Sequence, residues 1–125
     1  MRALTITVRD ASTGPVVEIA GDLDYETAPR LRQAVEGLAL EPGTLLVLDL
    51  ARLEFCDSSG ITAFIVARNR AIAAQTEVAL TAVPAHTARV LRIVGLDQIF
   101  NLYPDADSAA LPSAAVQPPP TANNR

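Results

Sequence analysis

The feature that most constrains the fold is the run Thr44–Leu50, which reads TLLVLDL and is almost wholly apolar. It follows the chain-breaking sequence Glu41-Pro42-Gly43. A short apolar run flanked by turn residues is typical of a buried strand at the centre of a sheet. We therefore expect both faces of this strand to be covered by other parts of the chain.

Segments of strand and helix character alternate on either side of this run. Apolar residues at period two predict strands, whereas apolar residues at i, i+3, i+4 and i+7 predict helices. The other predicted strands are Leu4–Val8, Val16–Ala20, Glu77–Ala82 and Ile99–Leu102. The predicted helices are 27–38 with Thr27 as N-cap, Ser59–Ala74, Pro84–Val94 and Asp105–Leu111. The pattern predicts an α/β domain with a mixed β-sheet of about five strands and about four helices.

The length of 125 residues suits a single domain. The turn-forming sequence Asp10–Pro15 between the first two strands predicts an opening hairpin. We assign residues 1–111 to the domain, because the sequence from Pro112 onward is rich in proline and has no apolar periodicity. Such a segment buries too little apolar surface to become ordered, so residues 112–125 are predicted to form a disordered tail.

Charge and composition argue against several classes of function. The net charge is −4, and the ten cationic residues are scattered arginines, so no nucleic-acid or anionic membrane surface is expected. The single cysteine, Cys56, has no companions that would make a metal site, and no cofactor is predicted. The N-terminus alternates apolar and polar residues where a signal peptide would have an apolar block. We therefore expect a cytoplasmic protein.

The predicted helix Ser59–Ala74 has one conspicuous apolar face. That face contains Ile61, Phe64, Ile65 and Ile72 at helical spacing. Arg68 falls on the same face, where it either extends its guanidinium to solvent or belongs to an interface.

The most informative segment runs from Leu48 to Ile61 and reads LDLARLEFCDSSGI. We expect it to leave the central strand, cross a short loop and enter a helix at Asp57-Ser58-Ser59-Gly60. Backbone N–H groups and the dipole at a helix start favour negative charge, so a serine here could carry a phosphate in a favourable field. Considered alone, however, a serine at a helix start is more often only a cap.

Two motifs resemble the signature of bacterial STAS-domain anti-sigma factor antagonists. One is Phe55-Cys-Asp-Ser-Ser-Gly-Ile61, preceded by the apolar strand that ends Leu48-Asp-Leu50. The other is Gly21-Asp-Leu-Asp24 followed by Thr27-Ala28, after the second predicted strand. The resemblance extends over about Leu4 to Leu111, and the two motifs occur in the expected order. It implies a single STAS-like domain.

The resemblance also implies a mechanism and a set of partners. Ser58 would be phosphorylated by an anti-sigma factor that is an ATP-dependent serine kinase. The unphosphorylated protein would bind this kinase and release the sigma factor, phosphorylation would abolish binding, and a PP2C-type phosphatase would restore it. Residues at or near the partner surface would be Asp22, Asp24, Asp57, Ser59 and Gly60.

Simpler roles remain open for several of these residues. Asp57 is equally well explained as an anion at the helix start, and Asp22 and Asp24 as turn residues. Ser59 is more readily explained as a helix cap than as a second phosphorylation site. Cys56 fits a small buried hydrophobic residue.

Two alternative functions follow from the same residues. A hydrolase using Ser58, His86 and Asp57 is disfavoured because the sequence lacks a Gly-x-Ser-x-Gly elbow, so the chain is not expected to be an enzyme. The other alternative keeps the fold and changes the partner, as in STAS accessory subunits of lipid-transport ABC systems or stress-signalling complexes.

The predicted tail should be dispensable for folding. Truncation after Leu111 removes a segment with no apolar periodicity, so the thermal midpoint should stay within about 2 °C of that of the full chain. Differential scanning calorimetry on both proteins measures this. A clear drop in the midpoint would mean that the removed segment packs on the domain.

Overall fold

The structure is a computed structural model that describes residues 3–110. It contains a five-stranded mixed sheet and four α-helices, which confirms the predicted α/β fold. The strands are β1 Thr5–Ala11, β2 Gly14–Leu23, β3 Leu45–Cys56, β4 Glu77–Thr81 and β5 Asn101–Tyr103. The helices are α1 Ala28–Glu36, α2 Ser58–Ala73, α3 Ala85–Ile93 and α4 Ala106–Ala110, with a 3₁₀ turn at Leu96–Gln98.

The strands lie in sequence order across the sheet, with β3 at the centre as predicted. β1 and β2 form an antiparallel hairpin, and the pairings of β2 with β3, β3 with β4 and β4 with β5 are parallel. On one face, buried residues of α1, α2 and α3 pack on the sheet in the main core. On the other face, Ala106 and Ala109 of α4 pack against Val16, Leu45 and Val47. The start of β3 is therefore covered on both sides.

The structure corrects two predicted connections. The hairpin turn contains only Ser12 and Thr13, because Asp10–Ala11 and Gly14–Pro15 already pair as strand. The predicted short loop between Leu50 and Asp57 is wrong, since β3 continues to Cys56. In this second half of β3 the backbone stays paired with β2, while most of the side chains are exposed. The apolar run therefore ends well before the strand does.

The buried face of α2 also differs from the predicted one. Ile72 is 52% exposed, whereas Ile61 and Phe64 are buried as predicted. Because the helix lies close against the sheet, the remaining buried positions are small residues: Gly60, Ala63, Ala67 and Ala71. Arg68 is half-buried and its Nε donates a hydrogen bond to the carbonyl of Ile99 at 3.2 Å.

The C-terminal part of the fold follows the prediction with small shifts. β5 begins at Asn101 rather than Ile99, because the backbone N–H groups of Ile99 and Phe100 still donate to the carbonyl of Leu96 in the preceding turn. Leu111 and the predicted disordered tail, residues 112–125, lie outside the described residues. Between residues 3 and 110, no helix is both long enough and apolar enough to span a membrane.

Gly60 allows the start of α2 to approach the ends of β2 and β3. A Cβ atom at this position would lie 2.6 Å from Cys56 Sγ and 2.9 Å from Leu23 Cγ and Cδ2. Leu23 is fully buried, so its side chain has little room to move away. A side chain at residue 60 would therefore push α2 off the sheet.

Gly60→Ala should lower the free energy of unfolding by about 1–3 kcal/mol, because it overpacks this contact. Gly37→Ala is the matched control, since its Cβ would meet the nearest atom at 3.6 Å and Gly37 has a helical φ of −81°. The control should be nearly neutral. Urea denaturation of both variants measures the difference, and equal midpoints would contradict the close packing.

Candidate functional site

The two sequence motifs meet where β2 and β3 end side by side. Leu23 and Cys56 are the last residues of the two strands and are paired in the parallel register. The backbone N–H of Asp57 then donates to the carbonyl of Leu23 at 3.2 Å. The loop from β2 to α1 and the start of α2 therefore lie together at the carboxyl end of the sheet, where α/β folds commonly place their functional loops.

Asp57 is the N-cap of α2. Its Oδ1 accepts hydrogen bonds from the backbone N–H groups of Ser59 at 2.8 Å and Gly60 at 3.2 Å. The carboxylate thus satisfies two N–H groups that the helix leaves unpaired. The prediction that Ser59 is the cap is wrong, because Ser59 already belongs to the first helical turn and donates to the residue that caps it.

Ser58 is the first residue of α2, and it is exposed as predicted. Its carbonyl accepts a hydrogen bond from the hydroxyl of Thr62 at 2.9 Å, one turn further along the helix. Its own hydroxyl makes no hydrogen bond to any residue in the range 3–110. The Ser58 hydroxyl is therefore available to a reagent or protein that approaches the helix start.

The electrostatic field at Ser58 is less favourable to a phosphate than the sequence suggested. The N–H groups of residues 59 and 60 are already bonded to Asp57. A phosphate on Ser58 would compete with this carboxylate for the same donors and would lie beside its negative charge.

The loop between β2 and α1 is held together by its own polar side chains. Asp24 Oδ1 accepts from the backbone N–H groups of Glu26 and Thr27, each at 3.0 Å. The Thr27 hydroxyl accepts from the N–H of Asp24 at 2.8 Å and donates to the carbonyl of Asp22 at 2.9 Å. Thr27 is the N-cap of α1 as predicted, but its hydroxyl bonds the loop rather than the helix. Asp24 thus has the turn role that the sequence left open.

Cys56 lies beneath the helix start and is not reactive. Burial raises the pKa of its thiol to about 12, and the negative charge of Asp57 adds to the rise. Because the thiolate is the nucleophilic form, this cysteine stays protonated and inert near neutral pH. Its role is the packing contact with Gly60.

The structure gives no support to a catalytic arrangement of Ser58, Asp57 and His86. His86 is exposed in the first turn of α3, and no hydrogen bond joins it to Ser58 or Asp57 in the part of the chain that the structure describes. Asp57 directs its carboxylate to backbone N–H groups instead of a base. Residues 3–110 also contain no cluster of histidine, cysteine and acidic residues that could hold a metal ion.

The sequence did not indicate several residues beside Ser58. A groove with a volume of about 600 Å³ is lined by Tyr25, Glu26, Ala28, Pro29, Arg32, Ser59 and Thr62. Tyr25 directly follows Asp24 and is 80% exposed, which makes it the most exposed large hydrophobic side chain of the described region. In the sequence, the position of Tyr25 directly after the motif Gly21–Asp24 was the one indication that it belongs to this site. Nothing in the sequence alone marks Arg32, because only folding brings α1 beside the start of α2.

The chain is similar in sequence to known proteins. Residues 6–104 match a protein-family model described as "Mlab, STAS domain". The chain is 31% identical over 101 residues to the anti-sigma-F factor antagonist RsfB of Mycobacterium tuberculosis, covering 81% of this chain and 82% of that protein. It is 27% identical to an anti-sigma-B factor antagonist of Listeria monocytogenes, covering 79% and 88% of the two chains.

A solved structure agrees with these relatives. The crystal structure of an anti-sigma factor antagonist from Mycobacterium paratuberculosis superimposes with a TM-score of 0.75 at 29% sequence identity. The similarity covers 92% of this chain and 96% of that one. The similarity in fold therefore extends over most of both chains.

The capping role of Asp57 leads to a stability prediction. Asp57→Ala should lower the free energy of unfolding by about 0.5–2 kcal/mol, because two backbone N–H groups lose their acceptor. Asp57→Asn keeps an acceptor oxygen and removes only the charge, so it should remain within about 0.5 kcal/mol of the parent. Urea denaturation distinguishes them, and equal losses would mean that the charge, not the hydrogen bonds, stabilises the helix.

Proposed function

The chain belongs to the STAS-domain family, and we propose that it is an anti-sigma factor antagonist regulated at Ser58. In its unphosphorylated form it binds an anti-sigma factor that is also a serine kinase, and the sigma factor is released. Phosphorylation of Ser58 abolishes this binding, and a PP2C-type phosphatase reverses the modification. The observation that carries the proposal is the exposed Ser58 hydroxyl at the start of α2, beside the loop of the other family motif.

The phosphate must come from a nucleotide held by the partner. The chain contains no lysine and no Gly-x-x-x-x-Gly-Lys-[Ser/Thr] loop with which it could bind ATP phosphates. Phosphoryl transfer also needs Mg²⁺ and a residue that orients the attacking hydroxyl. In this proposal the kinase supplies both, and this chain contributes only the hydroxyl and the surface that positions it.

The residues of the proposed partner surface act in two ways. Gly60 is buried, so it contributes by keeping α2 close to the strands rather than by touching a partner. Asp24 contributes by fixing the loop between β2 and α1. Direct contacts then come from Ser59, which follows Ser58 and is half-buried, from the half-buried Asp22 near the end of β2, and from exposed residues of the groove such as Tyr25.

Phosphorylation would weaken binding mainly at the interface. The modification adds about −1.5 to −2 charges next to Asp57, in a chain whose net charge is already −4. A partner surface complementary to a neutral hydroxyl would have to desolvate and oppose this charge. A hundredfold loss of affinity corresponds to about 2.7 kcal/mol, which one poorly paired buried charge can readily supply.

The alternative keeps the fold and changes the partner. STAS modules also serve as accessory subunits of lipid-transport ABC systems or of stress-signalling complexes. The anti-sigma factor antagonists among the relatives favour the first proposal. A pull-down from native lysate separates the cases, because the first predicts a small ATP-binding kinase and the second a transporter ATPase or a larger signalling complex.

Variants of Ser58 test the switch. Ser58→Ala should bind the kinase and resist modification, whereas Ser58→Asp should fold normally and bind at least about tenfold more weakly. Ser59→Ala is the matched control and should still accept phosphate. Mass spectrometry after incubation with kinase and ATP locates the phosphate, and calorimetry measures affinity. Phosphate on Ser59 with Ser58 unmodified, or unchanged binding after Ser58 is phosphorylated, would refute the mechanism.

A further inference from the structure

The groove beside Ser58 lies between helix α1 and the start of α2. Residues of α1 and of the loop before it line one side, and Ser59 and Thr62 of α2 line the other. The hydroxyl of Thr62 donates to the carbonyl of Ser58 at 2.9 Å, and Ser59 directly follows Ser58 in the chain. The groove therefore begins immediately beside the proposed phosphorylation site.

Arg32 lines this groove and differs from the other half-buried arginines between residues 3 and 110. Arg68 and Arg70 donate hydrogen bonds to backbone carbonyls. Arg32 is also half-buried, but its guanidinium has no hydrogen bond and no ion pair with any residue in this range. A guanidinium carries five N–H donors, and partial burial without acceptors leaves them poorly satisfied. A partner that brings acceptors to the groove would satisfy them.

Both sides of the groove are held in place in the free protein. Towards the far ends of the two helices, Arg70 Nη2 on α2 donates to the carbonyls of Glu36 at 3.3 Å and Leu38 at 3.4 Å. At the near end, the backbone N–H of Asp57 donates to the carbonyl of Leu23. The groove is thus present before a partner binds, and a segment that enters it needs no rearrangement of the helices.

We propose that the groove receives a segment of the anti-sigma factor kinase and that one carboxylate of this segment pairs with Arg32. The inference rests on the proposed function, since the occupant is the kinase that binds beside Ser58. An Asp or Glu side chain accepts two parallel hydrogen bonds from a guanidinium, so the pair fixes an orientation as well as adding affinity. Pairing at Arg32 would hold the kinase in one register beside the Ser58 hydroxyl.

The charges of the groove favour a single carboxylate over a strongly acidic segment. Glu26 and Arg32 are the charged residues that line it. Glu26 is exposed in the loop before α1, where water screens its charge, whereas Arg32 is half-buried. The chain has a net charge of −4 and would repel a run of acidic residues. Tyr25 and Pro29 offer apolar contact to the neutral residues of the segment.

Substitution of Arg32 tests the pairing and leaves Ser58 unchanged. The probe is the kinase that the pull-down recovers, purified and free of ATP. Arg32→Gln should weaken its binding about tenfold and Arg32→Glu at least about thirtyfold, because the carboxylate of the kinase then meets no charge or a like charge. Arg89→Gln is the matched control, since Arg89 is an exposed arginine on α3, outside the groove. It should bind like the parent in isothermal titration calorimetry.

The stability of the free protein distinguishes docking from a structural role. Arg32 makes no hydrogen bond between residues 3 and 110 that a substitution would remove, so Arg32→Gln should unfold at the same urea concentration as the parent. Arg70→Ala removes the donor to the end of α1 and should unfold at a lower urea concentration. A loss of binding by Arg32→Gln that came with an equal loss of stability would overturn the proposal.

Phosphorylation kinetics separate the kinase segment from the nucleotide as the source of the anion. Arg32→Gln should raise the KM for this protein about tenfold with little change in kcat, because the lost contact is the same before and during phosphoryl transfer. The KM for ATP should stay that of the parent. A higher KM for ATP instead would assign Arg32 to a nucleotide phosphate and would overturn the proposed pairing.

Photocross-linking locates the carboxylate. p-Benzoylphenylalanine in place of Tyr25 keeps an aromatic side chain at the groove and should cross-link to a kinase peptide that contains Asp or Glu. The same amino acid in place of Ile72, about 21 Å along α2 from Ser58, should not cross-link. Reversal of the acidic residue to Arg in the kinase should restore binding of Arg32→Glu. A cross-linked peptide without an acidic residue would refute the pairing.

Failure of this proposal and failure of the proposed function give different results. If the parent and Ser58→Ala both bind the kinase, and Arg32→Glu binds equally well, the groove is not the docking site and the switch at Ser58 stands. If the parent binds no kinase at all, the proposed function is refuted, and the docking proposal fails with it.

Discussion

The close contact between the start of α2 and the ends of β2 and β3 determines the geometry of the whole site. Gly60 lies so near Leu23 and Cys56 that no side chain fits between them. This contact, together with the hydrogen bond from Asp57 to Leu23, fixes the first turn of α2 against two paired strands. Ser58 is therefore held outward by packing beneath it, and the loop of the other motif is brought beside it.

Asp57 connects the stability of the helix to the chemistry proposed for Ser58. Its carboxylate satisfies two backbone N–H groups, so it is held in place immediately next to the serine. The unmodified serine suffers no penalty from this neighbour, since its hydroxyl is neutral. A phosphate would meet both a fixed negative charge and donors that are already engaged. Asp57 thus stabilises the site with unmodified Ser58 and disfavours the site with phosphorylated Ser58.

Sequence patterns predicted the central strand, the order of elements and the exposure of Ser58, because each rests on local apolar spacing or local polarity. They failed where contacts between residues far apart in the sequence determine the local structure. The second half of β3 has no apolar run, since its open face is solvent-exposed, and only its pairing with β2 defines it as strand. The buried face of α2 uses alanines because the helix lies close to the sheet, which isoleucine periodicity cannot reveal. Asp57 rather than Ser59 is the cap because the cap is the residue that immediately precedes the first helical residue. The course of the backbone, and not the residue type, determines which of the adjacent polar residues that is.

For the switch that we propose at Ser58, this arrangement favours an effect of surface charge rather than a change of fold. Displacing Asp57 from its two hydrogen bonds would cost about 0.5–2 kcal/mol, the usual value of a helix cap. Moving the first turn of α2 would in addition disrupt the contact of Gly60 with buried Leu23. A phosphate that stayed exposed in the free protein would avoid both penalties, because water would solvate it. Only a bound partner removes that water. In the proposed switch the penalty would therefore fall on the complex, and phosphorylation would control binding while the domain keeps its structure.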